Sequence, residues 1–345
     1  MKGDKRLHLQ PWSKVDKETL SQAIAACGGW DHIRQDTRVL IKPNLTYPYY
    51  QPGVTTPPDT LQALVELLLD REAEVTICEG GTTSDLYTAW ESFEAHGVLA
   101  LRDEYGVRVV DLCQETMAFH SFGKKASGQR VPVPLLLGEA DLFITMPLIK
   151  VHAMTTVSLA MKNQWGLIPS KKRFQFHPAL NDILIGLNSS LPPAVLVVSD
   201  ARTVLDRNGP MFGTAREGGF LAVSNDVGAF DYAITRLMGF NPAKISHLRA
   251  GMRAGLVPRS MDEIAVNVDL LTMRPFKFTL RRTLQNYIAL FGFHNRWICR
   301  LGYDSFASGF LHKLLYAVKG NPLQEAIEQG QTLHCVNHSP ENRSQ

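Results

Sequence analysis

His152 and Lys162 stand ten residues apart in Lys150-Val-His-Ala-Met-Thr-Thr-Val-Ser-Leu-Ala-Met-Lys-Asn-Gln-Trp-Gly-Leu-Ile-Pro169. Few core segments carry so many hydrogen-bonding groups. An imidazole titrates near neutral pH, so His152 is a candidate general acid or base. Lys162 offers a cation for a carboxylate or phosphate, and Thr155, Thr156 and Asn163 add hydrogen-bond donors. The spacing predicts a helix over Thr155–Asn163 that gathers these residues with His152 on one broad polar side. Val157 and Ala160 then turn toward packing. The plain structural alternative is a solvated edge of an amphipathic helix.

The elements that must position this segment are legible in the apolar runs. Asp141–Ile149 reads as a buried strand that delivers the segment at its C-terminal end, where open α/β sheets place their sites. Val39-Leu-Ile-Lys42-Pro43-Asn44 is a second strand with a polar tip, and Lys42 and Asn44 are expected to face the ligand. Glu74–Glu79 is a third, running into Gly80-Gly81-Thr82-Thr83-Ser84, where Gly81, Thr82 and Thr83 could present backbone N–H groups to an anion. This turn is neither a Walker loop nor Gly-x-Gly-x-x-Gly. Helices over Asp16–Ala26, from Thr55 to about Leu69, Asp85–Gly97 and Leu184–Leu191 alternate with further strands at Val107–Asp111, Ala194–Asp200 and Gly219–Asp226. The alternation predicts an α/β fold with mainly parallel sheet flanked by helices. Asp200, with Asp206, Asp226 and Asp231, leaves a cation site open; Asp226 before a helix also reads as an N-cap.

Composition sets the outer bounds. Of the 345 residues, 45% are apolar and 20% charged, which suits a globular chain with a sizeable core. Five scattered cysteines contain no Cys-x-x-Cys pair, so a disulfide framework, a zinc knuckle and an iron–sulfur motif are all unsupported. The first residues lack the apolar stretch of a signal peptide, and a cytoplasmic location is expected. The net charge of +3 is local: Leu270–Gly320 holds eight Lys/Arg against Asp304 alone, and the remainder sums to −4. Nucleic acid is therefore not an expected partner. From Arg274 to Leu301 arginines alternate with Phe, Tyr, Leu, Ile and Trp in helical spacing. This basic helical segment suits a layer over the sheet, a homo-oligomer seam or an anionic membrane surface. The expected organisation is an N-terminal α/β half (1–140), a second α/β half (141–268), the basic helical segment (269–330) and a tail (331–345).

Ile41-Lys-Pro-Asn44, Val75–Gly81, Lys150–Pro169, Asn208-Gly-Pro210 with Gly213-Thr214, and Met238–Pro242 leading to Ile245-Ser-His-Leu248 together resemble the domain-of-unknown-function 362 family over residues 35 to 250. That resemblance implies an α/β fold and no fixed activity. Family members with an added ferredoxin-like cysteine cluster bind iron–sulfur centres; this chain has no such cysteines. The central segment is also similar to the site of nickel-pincer lactate racemase, in which a Lys ten residues after a His tethers the pincer nucleotide. The likeness implies a tether at Lys162, with His177, fifteen residues further on, as a metal ligand that Asp200 could complement. The chain departs from that pattern at Gly81-Thr82-Thr83, where the racemase has Gly-Thr-His, and at Ala160-Met161, where it has glycines. The expected function is an enzyme, an isomerase or oxidoreductase, acting on a small anionic ligand, with a divalent metal or nickel-pincer nucleotide as an open cofactor question. Two alternatives stand beside it: a non-catalytic cofactor-binding or membrane-surface accessory protein, and a redox protein with a partner-supplied iron–sulfur centre.

Overall fold

Consecutive residues of the strand around Ile41 are buried in different cores, because a pleated strand sends neighbours to opposite faces. Val39 and Ile41 enter one apolar cluster with Leu61, Leu64 and Leu68; Leu40 enters another with Cys78, Phe143 and Leu184. A strand apolar on both faces belongs inside a covered, largely parallel sheet. The computed structural model describes residues 5–81, 88–123, 129–169, 173–211 and 213–295, and it has this architecture. Thr82, Thr83, the start of the Asp85–Gly97 helix, Trp297, Ile298, Leu301 and the 331–345 tail lie outside the described residues.

In chain order the elements are β1 (Arg6–Pro11), α1 (Lys17–Ala26), β2 (Arg38–Lys42), α2 (Pro58–Leu69), β3 (Glu74–Glu79), α3 (Ala89–Ala95), α4 (Val98–Tyr105) and β4 (Arg108–Asp111). There follow β5 (Met117–His120), β6 (Val131–Pro134), β7 (Leu142–Thr145), β8 (Lys150–His152), β9 (Thr156–Ser158), α5 (Ala160–Asn163) and α6 (Leu180–Ser189). The remainder comprises β10 (Ala194–Asp206), β11 (Thr214–Ser224), α7 (Val227–Leu237), α8 (Ser246–Ala254), β12 (Ala265–Val266) and α9 (Leu284–His294). Local chemistry explains several starts. Asp16 caps α1 by accepting from Thr19 N–H, Pro58 opens α2, and Thr88 with Glu91 forms a capping box on α3.

The main sheet runs β12–β1–β11–β10–β7–β2–β3–β4. β10, β7, β2, β3 and β4 are parallel, whereas β11 is antiparallel to both β10 and β1. Strands from residues 1–140 and 141–268 thus share one sheet, with β7 between β2 and β10. After β2 the chain moves outward through β3 and β4, then returns to lay β7 on the other side of β2. That reversal makes the C-terminal ends of β2 and β7 a topological switch point, where such sheets leave a crevice.

One expected boundary is corrected, and three features lie beyond the sequence reading. Ala194–Asp200 continues to Asp206, so Asp200 is in mid-strand and not at a strand exit. The sheet beyond β10 is antiparallel because β10 and β11 form a long ribbon that needs no crossover. Leu7 and Leu9 alternate with polar residues in β1, a period-2 signal in a stretch read only for its lack of a leader. Met117–His120 and Val131–Pro134, for which no strand was predicted, pair as a small antiparallel sheet.

The largest local correction concerns the central segment. Lys150–Ser158 is a β-hairpin, with Lys150 opposite Ser158 and His152 opposite Thr156, and helix begins only at Ala160. Thr155-Thr156-Val157 is β-branched and favours strand over helix. Thr156 closes the three-residue turn with φ +70°, the left-handed position such a turn requires. The polar residues therefore converge through a hairpin and a short helix, not along one helical face.

Candidate functional site

Lys42, Glu79 and Thr145 end three adjacent parallel strands, and Lys42 is the direct register partner of Thr145. Lys42, 1% exposed, places Nζ 2.8 Å from both Glu79 carboxylate oxygens and donates to Pro43 O at 2.8 Å. Glu79 also accepts from Leu45 N–H (3.1 Å) and Gly80 N–H (3.0 Å). The predicted ligand-facing Lys42 is thus held in a closed, fully satisfied ion pair. Gly166 makes the closure possible. A Cβ there would lie 2.8 Å from both Glu79 Oε1 and Lys42 Cε, and one on Gly80 would collide with Gly166 O.

Asn44 and Asn163 join the two sides of the switch point. Asn44 Nδ2 donates to Asn163 Oδ1 at 3.1 Å, and Asn163 Nδ2 reaches Thr145 Oγ1 at 2.9 Å and the Lys42 and Pro43 carbonyls at 3.3 and 3.4 Å. Thr145 passes its hydroxyl proton to Gln164 Oε1 at 3.2 Å. Asn44 Oδ1 accepts from Lys150 Nζ at 3.5 Å, and Lys150 also donates to Val54 O at 2.8 Å. Lys150 is 2% exposed and has only neutral partners. Burial, then the charges of Lys162 and Lys42, pull its ammonium down to about 7.

Lys162 is partly buried on α5, and its Nζ has no hydrogen-bond or carboxylate partner among the described residues. Burial and then Arg173 lower it to about 8. The helix that carries it begins where the buried Asp231 of α7 accepts from Ala160 N–H (2.8 Å) and Met161 N–H (3.2 Å). Leu159 has no side chain that could do this, so a carboxylate from a distant helix caps α5 and fixes Lys162. Burial raises the Asp231 carboxyl well above the ordinary range.

His152 is 7% exposed, and Met154 N–H donates to its Nδ1 at 3.1 Å. That bond leaves Nδ1 unprotonated, so the neutral ring carries its proton on Nε2, which has no hydrogen-bond partner among the described residues. Burial, followed by the charges of Lys162 and Lys150, pushes the imidazole well below its usual range and keeps it neutral. His247 on α8 lies within the same field. It is fully buried, neither ring nitrogen has a hydrogen-bond partner, and burial with Lys162 lowers it to about 3.

The remaining expected site residues separate from this group or are already engaged. Thr155 gives its hydroxyl proton to Val157 O at 2.9 Å, inside the hairpin. Thr156 holds the left-handed turn. Gly81 N–H donates to Cys113 Sγ at 3.2 Å and its carbonyl accepts from Arg173, while Gly80 N–H is taken by Glu79; neither is open to an anion. Asp200 accepts from Trp12 Nε1 (3.1 Å), Thr60 Oγ1 (2.5 Å) and Arg202 Nε (2.8 Å). Asp206 pairs with Arg216 and accepts from Thr279 N–H, and Asp226 caps α7. His177 stacks at a tilt on Trp165, with ring centroids 5.2 Å apart.

Among the described residues no three His, Cys, Asp or Glu side chains converge in a way that could hold a metal ion. His177, Asp200 and His152 do not form a three-ligand set, and no step below runs through a metal.

Sequence reasoning missed Glu79, Lys150, Arg173 and His247 as site residues. Glu79 and Lys150 were readable in part, as charged residues closing or opening apolar strands next to polar turns. Asp231 was legible as a candidate cation ligand, but its role as the cap of α5 was not, and His247 was not legible, since these roles lie in contacts with elements far away in sequence.

The class of protein defined here is an α/β protein with a cluster of buried lysines and a buried histidine at the switch point of its sheet. The description "Domain of unknown function (DUF362)" matches residues 39–236, more than half of the chain, and the chain belongs to that family. It is 27% identical over 253 residues to the thylakoid-associated protein sll1697 of Synechocystis sp., an alignment covering 71% of this chain and 75% of the relative. No helix among the described residues is long and apolar enough to cross a membrane.

Proposed function

We infer that the crevice binds a small carboxylate or phosphate and moves a proton on it. One observation carries this reading: Lys150 and Lys162 stand together in the crevice with no carboxylate partner, beside a neutral His152 whose Nε2–H is unengaged. Buried cations without counter-charge are costly and shift toward neutrality, the direction of both lysines. An anion supplies the missing charge and restores both ammonium groups.

The division of labour follows from the hydrogen bonds. His152, as a neutral Nε2–H donor, polarises a carbonyl or phosphoryl oxygen and serves as an electrophile, not as the base. Lys162, at about 8, exchanges a proton near neutral pH and is the better acid/base. In the fraction of complexes that hold Lys162 as the neutral amine, it takes a proton from the carbon beside a carboxylate while the charge developing on oxygen is met by Lys150 and His152, and as the ammonium it returns that proton to the carbon. An isomerase is the enzyme class this supports best.

The test is calorimetric titration of the full chain with sulfate, inorganic phosphate and lactate, repeated on Lys162→Met and His152→Ala. Binding by the parent protein, lost or weakened in both variants while their folds persist, supports the reading. No heat with any of the three, or unchanged affinity in both variants, sinks it. An intact mass with an adduct on Lys162 would replace the free amine by a tethered group and return the pincer nucleotide to consideration. A second reading, work at a membrane surface reached from the cytoplasm, is favoured by the thylakoid-associated relative.

A further inference from the structure

The basic segment after residue 270 is the strongest feature that the anion site does not use. Its helix α9 is defined at the start by a capping box: Asn286 N–H donates to Thr283 Oγ1 at 3.3 Å, and Thr283 N–H to Asn286 Oδ1 at 2.9 Å. Leu284, Tyr287 and Phe291 recur at helical spacing on one face and are 77%, 57% and 69% exposed. Among the described side chains of that helix these are exposed large apolar ones, and an apolar stripe of this kind marks an interaction surface.

The chain tethers this helix firmly. Arg207 N–H donates to Thr279 O and Arg281 N–H to Arg207 O, both at 3.0 Å, so the approach to α9 is laced to the end of β10. Arg282 Nε donates to Ala153 O at 2.6 Å, in the turn between β8 and β9 that follows His152. α9 itself packs beside the Arg173–Ala179 turn that carries His177. The exposed stripe is therefore fixed next to the site hairpin.

Charge decides what the stripe fits. Arg274, Lys277, Arg281 and Arg282 lead into α9 with no Asp or Glu between Leu270 and Asn295, and among the described residues none of the four has a carboxylate partner. Arg274 and Arg282 donate to main-chain carbonyls, which leaves their charge uncompensated, and Lys277 and Arg281 are exposed. A narrow row of Leu, Tyr and Phe beside cations without carboxylate partners matches a surface that is anionic outside and apolar a few ångströms below.

We propose that α9 is an interfacial helix that docks the protein on an anionic lipid bilayer, with Leu284, Tyr287 and Phe291 entering the headgroup region and Arg281 and its neighbours meeting the lipid charge. Docking brings the β8–β9 hairpin and the crevice close to the bilayer. The proposal names the element for the membrane-surface reading above but is independent of the anion site.

The full chain is co-sedimented with vesicles of phosphatidylcholine alone and of phosphatidylcholine mixed with phosphatidylglycerol, at low and high salt, with sulfate affinity measured in parallel. Retention on mixed vesicles is expected, falling about tenfold or more as salt screens the lipid charge. Tyr287→Ser with Phe291→Ser should weaken it about tenfold. Arg281→Gln should weaken it about fivefold. Both variants should keep the parent sulfate affinity and melting temperature, since these side chains are exposed. Equal retention on neutral vesicles, no retention on either, or retention unchanged in the double variant would overturn the proposal. So would a concentration-dependent dimer that the double variant abolishes in the absence of vesicle binding, because the stripe would then face a second copy of the chain. Sulfate binding without vesicle binding refutes docking alone; vesicle binding without sulfate binding refutes the anion site alone.

Discussion

Lys42 and Lys150 are almost equally buried lysines at one switch point, yet their surroundings are opposite. Lys42 meets a bidentate carboxylate and a carbonyl, and that carboxylate is held in turn by two backbone N–H groups. Lys150 meets a carbonyl and, at the limit of hydrogen-bond distance, an amide oxygen. The first is a closed structural unit that sets the spacing of β2 and β3. The second has no counter-charge among the described residues, and burial pulls its ammonium down to about 7. A buried cation alone does not mark a functional lysine; its missing partner does.

The largest expected effect breaks the closed unit. Lys42→Met leaves Glu79 buried without its cation and should cost about 3–5 kcal/mol. Lys150→Met removes a charge that burial already disfavours and should be neutral or mildly stabilising. Chemical denaturation compares the two directly, and equal losses would erase the distinction between them.

Anion affinity should then run the other way. Lys150→Met and Lys162→Met each remove a charge-assisted contact and should weaken sulfate binding about 10- to 100-fold, with folding intact. If Lys150→Met binds sulfate as the parent does, Lys150 belongs with Lys42 as a structural residue.

How much of this was legible in the sequence depended on the range of the interaction. Lys42, Asn44, His152, Lys162 and Asn163 announce themselves because polar residues directly after buried strands are conspicuous, and the fold class follows from alternating apolar runs. The roles did not follow. Lys42 and Asn163 were expected to face a ligand, yet Glu79 and Asn44 engage them from 37 and 119 residues away. The hairpin was mistaken for helix because His152, Thr155, Thr156 and Lys162 fit helical spacing by eye, while Thr155-Thr156-Val157 already argued for strand. His247 could not be assigned, since burial without a hydrogen-bond partner is a property of the folded neighbourhood alone.

The lysines also make the comparison sensitive to pH. Sulfate keeps its charge between pH 6 and 9, so any change in its affinity there reports the protein. Lys150 at about 7 and Lys162 at about 8 must be protonated to hold it. Affinity should be highest below pH 7, fall about tenfold from pH 7 to 8 and about a hundredfold per unit above pH 8, with proton uptake on binding at pH 8. Stability without anion has the opposite sign. Both lysines have folded values below their unfolded 10.5, so the unfolded chain holds more protons between about 7 and 10.5, and stability rises with pH across that window. A flat sulfate affinity from pH 6 to 9 would place the anion away from these two groups.

The smallest effect separates strain from chemistry at the hairpin. Thr156 sits at φ +70°, which a β-branched residue resists by about 1–2 kcal/mol, while glycine accepts it freely at an entropic cost of about 0.5–1 kcal/mol. Thr156→Gly should therefore stabilise the protein slightly, by about 0.5–1 kcal/mol in chemical denaturation. Its hydroxyl has no hydrogen-bond partner among the described residues, so nothing in the folded protein is lost with it. If Thr156 also meets the anion, sulfate affinity should fall in the same variant that gains stability. If stability rises and affinity does not move, Thr156 joins Lys42 as a residue of the scaffold, and the anion is held by Lys150, Lys162 and His152 without it.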